Sequence, residues 1–368
     1  MGLKHKLRQH LKNSIGKSVD KKYFVIESDD WGSIRMPSLK VFQKLKSDGL
    51  DLGVGEGARY NLSDTLASAE DLEMLFNVLR KHKDHLGNSV VFTAVSVVAN
   101  PDFEKITADK FTQYHYEPFT ETLKKYNKES AIPLWKQGIQ ENIFYPEFHA
   151  REHLSVSVWM RMLQKKDPHT LLAFEQGFWG FRTKTPFNIN YQAAFDLETK
   201  NDLSFQEESI VSGLKLFEAL HGYKAKFFIP PNGPFNNSLE EVAHTGGIKF
   251  MGASKVQLEP QGEGQIKKKY HWLGQKNKHG QTYLTRNAIF EPNAPGQDWI
   301  ATCLDDIYHA FLWKKPAVIS SHRTNYIGSL DVGNRKLGLE KLDTLLTEVL
   351  RRWPDVEFIT STELGNKF

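Results

Sequence analysis

Two short segments place groups capable of metal binding and proton transfer close together in the chain. The first is Tyr23-Phe-Val-Ile-Glu-Ser-Asp29-Asp30-Trp-Gly32, an apolar run ending in two adjacent carboxylates and a Gly turn. One such carboxylate can hold a cation while the other takes a proton; the bland alternative is a solvated turn capped by Asp. The second is His149-Ala-Arg-Glu-His153. A spacing of i, i+4 predicts both imidazoles on one helical face, able to share an ion. Chance supplies about half such a pair in a chain with 14 His among 368 residues, so the spacing alone has little specificity. It gains weight because Asp30 would complete a two-His, one-carboxylate set that leaves positions open for water and substrate.

Three further segments sit at the ends of apolar runs. Phe227-Phe-Ile-Pro-Pro-Asn232-Gly233 ends in a turn that can present a backbone N–H to a ligand, or simply end a strand. Asp298-Trp299 opens a helix, where Asp is a good cap. Ala317-Val-Ile-Ser-Ser-His322-Arg323 ends in a group that can donate or accept a proton near neutral pH.

Positioning these groups at strand ends requires an α/β frame. Apolar runs at Tyr23–Ser28, Val90–Val97, Tyr191–Phe195, Lys226–Ile229, Ile248–Met251, Ala317–Ser320 and Val356–Thr360 predict strands. Helix-period segments alternate with them: Leu39–Leu45, Ser68–Lys83, Ser155–Leu163, Ser204–Leu220, Leu239–His244, Ile300–Leu312 and Leu337–Arg352. Alternation of this kind predicts a parallel sheet, with functional groups at the carboxyl ends of its strands. The Gly-, Gln- and Lys-rich segment Gln261–Lys278 reads as a loop or exposed hairpin. The expected organisation is a basic N-terminal helix over residues 1–20 and one domain over 21–368, with an insertion at about 50–140.

In order, the five segments resemble the polysaccharide deacetylase (NodB-homology) family, carbohydrate esterase family four. The resemblance spans roughly residues 23–364. It implies a distorted (β/α) barrel of about seven parallel strands that removes acetyl groups from N-acetylated sugars with a divalent metal, usually zinc (Zn2+). By that resemblance Asp29 matches the catalytic base, Asp30, His149 and His153 the metal ligands, Asp298 the acid that orients the catalytic His, and His322 the general acid. Trp31, Asn232, Arg286, Trp299 and Arg323 are the substrate-binding candidates. The chain departs from the pattern at Ala150, Asn232 and above all Ile229, where the family has the Arg that steadies its base. Arg35, Arg151, Arg182, Arg286 and Arg323 are the candidate replacements, Arg323 and Arg286 first.

Composition bounds the alternatives. With 40% hydrophobic and 25% charged residues the chain is globular, and its single Cys303 excludes a thiolate-rich metal site. A net charge of +4 gives no argument for nucleic acid as a partner. No run approaches the roughly 20 apolar residues of a membrane span. The N-terminus has no apolar signal region, which makes the cytoplasm the expected compartment. Leu3, Leu7, Leu11 and Ile15 recur every four residues among cations. Such a stripe is expected to pack on the protein itself, with peripheral contact to an anionic membrane as the alternative. Rival functions are a glycoside hydrolase pairing Asp29 with Glu147, Asp196 or Glu291, and a carbohydrate-binding protein without catalysis.

Overall fold

A computed structural model describes residues 3–53 and 57–368, leaving aside the side chains of residues 3–6 and 8. Nine strands form one sheet: β1 (Lys22–Trp31), β2 (Phe92–Val97), β3 (Phe144–Ala150), β4 (Phe227–Phe228), β5 (Phe250–Gly252), β6 (Thr282–Leu284), β7 (Ala288–Ile289), β8 (Ala317–His322) and β9 (Val356–Phe358). Every pairing in it is parallel. Eight strands follow the order β6-β5-β4-β3-β2-β1-β8-β7, and β9 pairs with the start of β1. The two ends of this order, β6 and β7, are separated by only Thr285, Arg286 and Asn287. One extended run therefore pairs first on β5 and then on β8, curling the sheet into a distorted barrel. Arg286 stands at the middle of that seam.

β1 is central, and every residue from Tyr23 to Trp31 is buried, as expected of a strand covered on both faces. Helices fill the outer layer by the expected periodicity. In α2 (Ala69–Lys81), Ser68 caps the helix with Asp71 in a reciprocal capping box, and Leu72, Leu75, Phe76 and Leu79 form its buried face. In α4 (Val332–Arg352), Leu339, Leu342, Leu346 and Val349 are buried against the sheet, while α3 (Trp299–Leu312) follows the 298 turn.

Several expectations are corrected. The stretch 50–140 is not simply an insertion, because it contains β2, which lies between β1 and β3. Tyr191–Phe195 forms turns instead of a strand, although its aromatics are buried. The exposed hairpin expected within Gln261–Lys278 is present but begins earlier, with Val256–Gly262 antiparallel to Gln265–Tyr270. The N-terminal helix α1 (Leu3–Ser14) is seated the opposite way round: Gln9 and Asn13 are buried, while Leu7, Leu11 and Ile15 are 59%, 65% and 63% exposed. The Leu3 side chain lies outside the described residues. Among the described residues no helix is long and apolar enough to cross a membrane.

Candidate active site

Adjacent strand residues normally face opposite sides of a sheet. Asp29 and Asp30 both reach the cavity because β1 is irregular there. Its register with β2 slips between Ser28 and Trp31, and Asp30 takes a left-handed backbone with φ of 75°. Such a conformation in a non-glycine residue costs on the order of 1–3 kcal/mol. A second slip falls opposite His149, between Ser96 and Val97 of β2, whose partners on β3 are Phe148 and Ala150. The two irregularities turn Asp30 and His149 toward each other.

Asp30 Oδ1 lies 3.6 Å from His149 Nε2 and 3.1 Å from His153 Nε2. All three residues are buried, and one ligand atom from each falls within 4.8 Å of the others. His149 sits in β3 and His153 in the loop after it, so the pair converges from a strand end and a loop instead of a helical face. The donor chemistry fits a cation. His149 Nδ1 donates to the Ile229 carbonyl at 2.6 Å, which leaves Nε2 as the bare nitrogen. Burial lowers the His153 imidazole from its ordinary value, against the pull of Asp30. Burial alone would raise the Asp30 carboxyl, but the two imidazoles hold it well below the usual carboxylate range. Trp179 stacks on His153 at 6.1 Å, and the Arg35 guanidinium lies 4.0 Å from Asp30 and over the Tyr60 ring.

Asp29 is held by the seam. Arg286 Nη1 and Nη2 donate to its two oxygens at 2.7 and 2.6 Å, a bidentate fork. The same guanidinium donates from Nε to Glu27 at 2.6 Å and from Nη1 to Ser320 Oγ at 2.9 Å. Glu27 is fully buried, and burial pushes its carboxyl up despite Arg286. A cation therefore does reach Asp29, from the strand run 282–289. Arg323 does not. It is fully buried, donating to Asp64 at 3.0 Å and to the Ser33 carbonyl at 2.7 Å.

His322 ends β8 with Nε2 3.8 Å from Asp29 Oδ2. Its Nδ1 donates to Glu291 at 2.5 Å, and Glu291 also accepts from Asn325 at 3.0 Å and Arg59 at 2.6 Å. Burial by itself would lower the imidazole, but Glu291 and the nearby aspartates raise it to about 9. Asp298 does not take this part. It is exposed and accepts from the backbone N–H groups of Ile300 and Ala301, capping α3. The neighbour of His322 that sequence reasoning placed in a different pair, Glu291, occupies the position instead.

The remaining candidates divide. Asn232, with φ of 56°, lines the cavity together with Ile229 and the Pro230–Gly233 turn. Trp31 is a core residue, packed on Phe144 and donating to Ser28. Trp299 donates to the Ala294 carbonyl and packs against the hydrophobic core instead of lining the cavity. Residues missed are Glu27, Arg59 and Tyr60, while Arg35, one of the candidate guanidinium replacements, lies 4.0 Å from Asp30. Glu27 had a signal, since it stands two residues before Asp29 on the same strand face. The cavity measures about 1290 Å³ and is lined by Asp29, Asp30, His149, His153, Arg286 and His322, among others.

No protein-family model and no curated protein matches the sequence. Solved structures do resemble the fold. They include an allantoinase (10% identity, TM-score 0.48, over 96% of this chain and 93% of that one). A peptidoglycan deacetylase, PdaC from Bacillus subtilis, is similar at 10% identity and TM-score 0.37, over 94% of this chain and 91% of that one. A 4-alpha-glucanotransferase from Thermococcus litoralis is similar at 10% identity and TM-score 0.48, over 95% of this chain. This chain spans only 41% of the glucanotransferase's length. These are likenesses at low identity, and the fold rests on the strand pairing described above.

Proposed function

We propose that this protein is a metal-dependent hydrolase that removes an acetyl or other acyl group from an N-acylated sugar or glycan. The observation that carries the reading is the union, in one cavity, of the Asp30-His149-His153 cluster, the Asp29-Arg286 fork and the His322-Glu291 pair. Asp30, His149 and His153 would hold a divalent cation, and two imidazoles with one carboxylate suit Zn2+. Bound there, the ion supplies Lewis acidity to an acyl oxygen and acidifies a water molecule.

The chain's own residues do the rest. The Arg286 fork fixes Asp29 in orientation, so that it accepts a proton from the attacking water. His322, kept protonated by Glu291, gives a proton to the leaving nitrogen as the C–N bond breaks. The products are a carboxylate and a free amine, with one water consumed. The Pro230–Gly233 turn borders the cavity, where a backbone N–H can stabilise charge on the acyl oxygen.

The rival readings lose support at particular residues. Glu147 is buried under Thr362 and the N–H groups of Lys226 and Phe227, and Glu291 is engaged by His322, Arg59 and Asn325. A glycosidase would be left with Asp29 and Asp196, the latter on the cavity wall. A non-catalytic binder would be favoured by an Asp29 left without a guanidinium, and Arg286 supplies one.

The test is acetate release from N-acetylated oligosaccharides, scored beside metal content by mass spectrometry. About one equivalent of metal with acetate release that vanishes in Asp29→Asn, metal retained, is the expected result. Release of reducing sugar without acetate would transfer the reading to a glycosidase.

A further inference from the structure

We infer that the rim of the cleft built by α1 and the 256–270 hairpin docks on an anionic lipid bilayer. Both elements wear their apolar residues outward. In α1 the polar side is the anchored one: Gln9 donates to Asp306, Lys12 Nζ donates to the Asn287 carbonyl at 2.6 Å, and Asn13 accepts from Asn287 at 3.0 Å. That arrangement leaves Leu7, Leu11 and Ile15 facing away from the body. In the hairpin Gln257 and Glu259 turn inward, while Val256, Leu258, Ile266 and Tyr270 are exposed.

The segments that follow the two elements adjoin. Lys17 N–H donates to the Leu273 carbonyl at 2.8 Å, and a Cβ on Gly16 would lie 3.0 Å from the Leu273 backbone. Trp272, exposed, stands at that junction. Both also border the cavity, through Leu11 and Lys12 on one side and Lys255 on the other.

Charge selects the occupant. The first 18 residues carry five cations (Lys4, Lys6, Arg8, Lys12, Lys17) and no acid, and residues 255–278 carry six Lys against two Glu. Of those acids, Glu259 is turned inward. Burial, with Lys12 and Lys315 adding like charge, brings Lys255 down to about 8. Exposed apolar side chains, with Tyr270 and Trp272 among them and the exposed Lys267 and Lys268 on the same hairpin, match the boundary between acyl chains and anionic headgroups. A second copy of the chain would set two cation-rich faces against each other, which Coulomb repulsion opposes. The bilayer contact is independent of the activity; that it presents lipid-borne glycans to the cleft rests on the function proposed above.

The experiment is sedimentation of the full-length protein with phosphatidylcholine vesicles, with and without roughly one-third phosphatidylglycerol. Expected is binding to the anionic vesicles that weakens with salt and falls about tenfold in Leu7→Glu/Ile15→Glu and in Ile266→Glu/Tyr270→Glu. Unchanged circular dichroism and metal content would show that the exposed substitutions leave the fold intact. Absence of binding to anionic vesicles, or equal binding by the variants, overturns the proposal. So does self-association by light scattering that the variants abolish without any vesicle binding, because a second copy would then be the occupant.

Discussion

Asp29 and Asp30 are chain neighbours with opposite partners, and the division of labour between them follows from what each faces. Asp30 meets two imidazoles, Asp29 a guanidinium and His322. Because Arg286 grips both oxygens of Asp29, a point charge cannot replace it. Arg286→Lys is expected to lower kcat/KM by about 10–100-fold with metal content unchanged, measured by steady-state kinetics and metal analysis. Equal loss of metal would mean that Arg286 supports the cluster instead. His322 supplies a pH signature. Folding favours its protonated form, so that contribution to stability is complete below the ordinary value of 6.5 and is lost as pH rises through about 9. Activity that needs the imidazolium should fall on the alkaline side near pH 9. Glu291→Gln removes the largest raising influence and should move that limb toward lower pH; an unmoved limb in the pH–kcat/KM profile would assign it to another group.

Between elements, the site depends on contacts that leave no room. Gly338 of α4 lies against the loop after His322, where an added Cβ would fall 1.7 Å from the Asn325 carbonyl oxygen. Asn325 in turn donates to Glu291 at 3.0 Å. Backbone cannot yield as a flexible side chain can, so Gly338→Ala is expected to cost about 3 kcal/mol and to lower the thermal midpoint by several degrees. An unchanged midpoint by calorimetry would show that α4 shifts freely. Gly252 plays a related part on β5, where a Cβ would meet Ile229 at 2.7 Å. The Ile229 carbonyl is the acceptor that orients His149, so strand packing and imidazole tautomer are linked.

For the whole molecule, the cluster joins segments distant in sequence: Asp30 from β1, His149 from β3 and His153 from the loop beyond it. A ligand that binds the folded state alone stabilises it by mass action, about 2.7 kcal/mol at a hundred times its dissociation constant. Chelation should therefore lower the melting temperature of the metal-loaded protein, and added Zn2+ should restore it. Neither effect is expected in His149→Ala/His153→Ala. A chelator-insensitive melt in the wild-type protein, followed by differential scanning fluorimetry, would argue against an ion bridging these segments.

The sequence by itself determined the alternating α/β order, the apolar helix stripes and the residue types of the cluster, because periodicity and side-chain chemistry are local properties. Ser68 as a cap and Leu339, Leu342, Leu346 and Val349 as a buried stripe were legible for that reason. Three matters were decided only by tertiary structure. The strand slip that turns Asp30 beside Asp29 is a backbone event without a composition signal. The replacement for the guanidinium missing at Ile229 comes from the barrel seam, and only closure of the sheet brings Arg286 to Asp29 across more than 250 residues. The partner of His322 is Glu291 and not Asp298, because the strand edge at 288–289 sets Glu291 beside β8, whereas Asp298 is taken up by the helix N–H groups it caps. Even α1 obeys this rule: its stripe is plain in the sequence, but which face meets the body was fixed by Asp306 and Asn287, nearly 300 residues away.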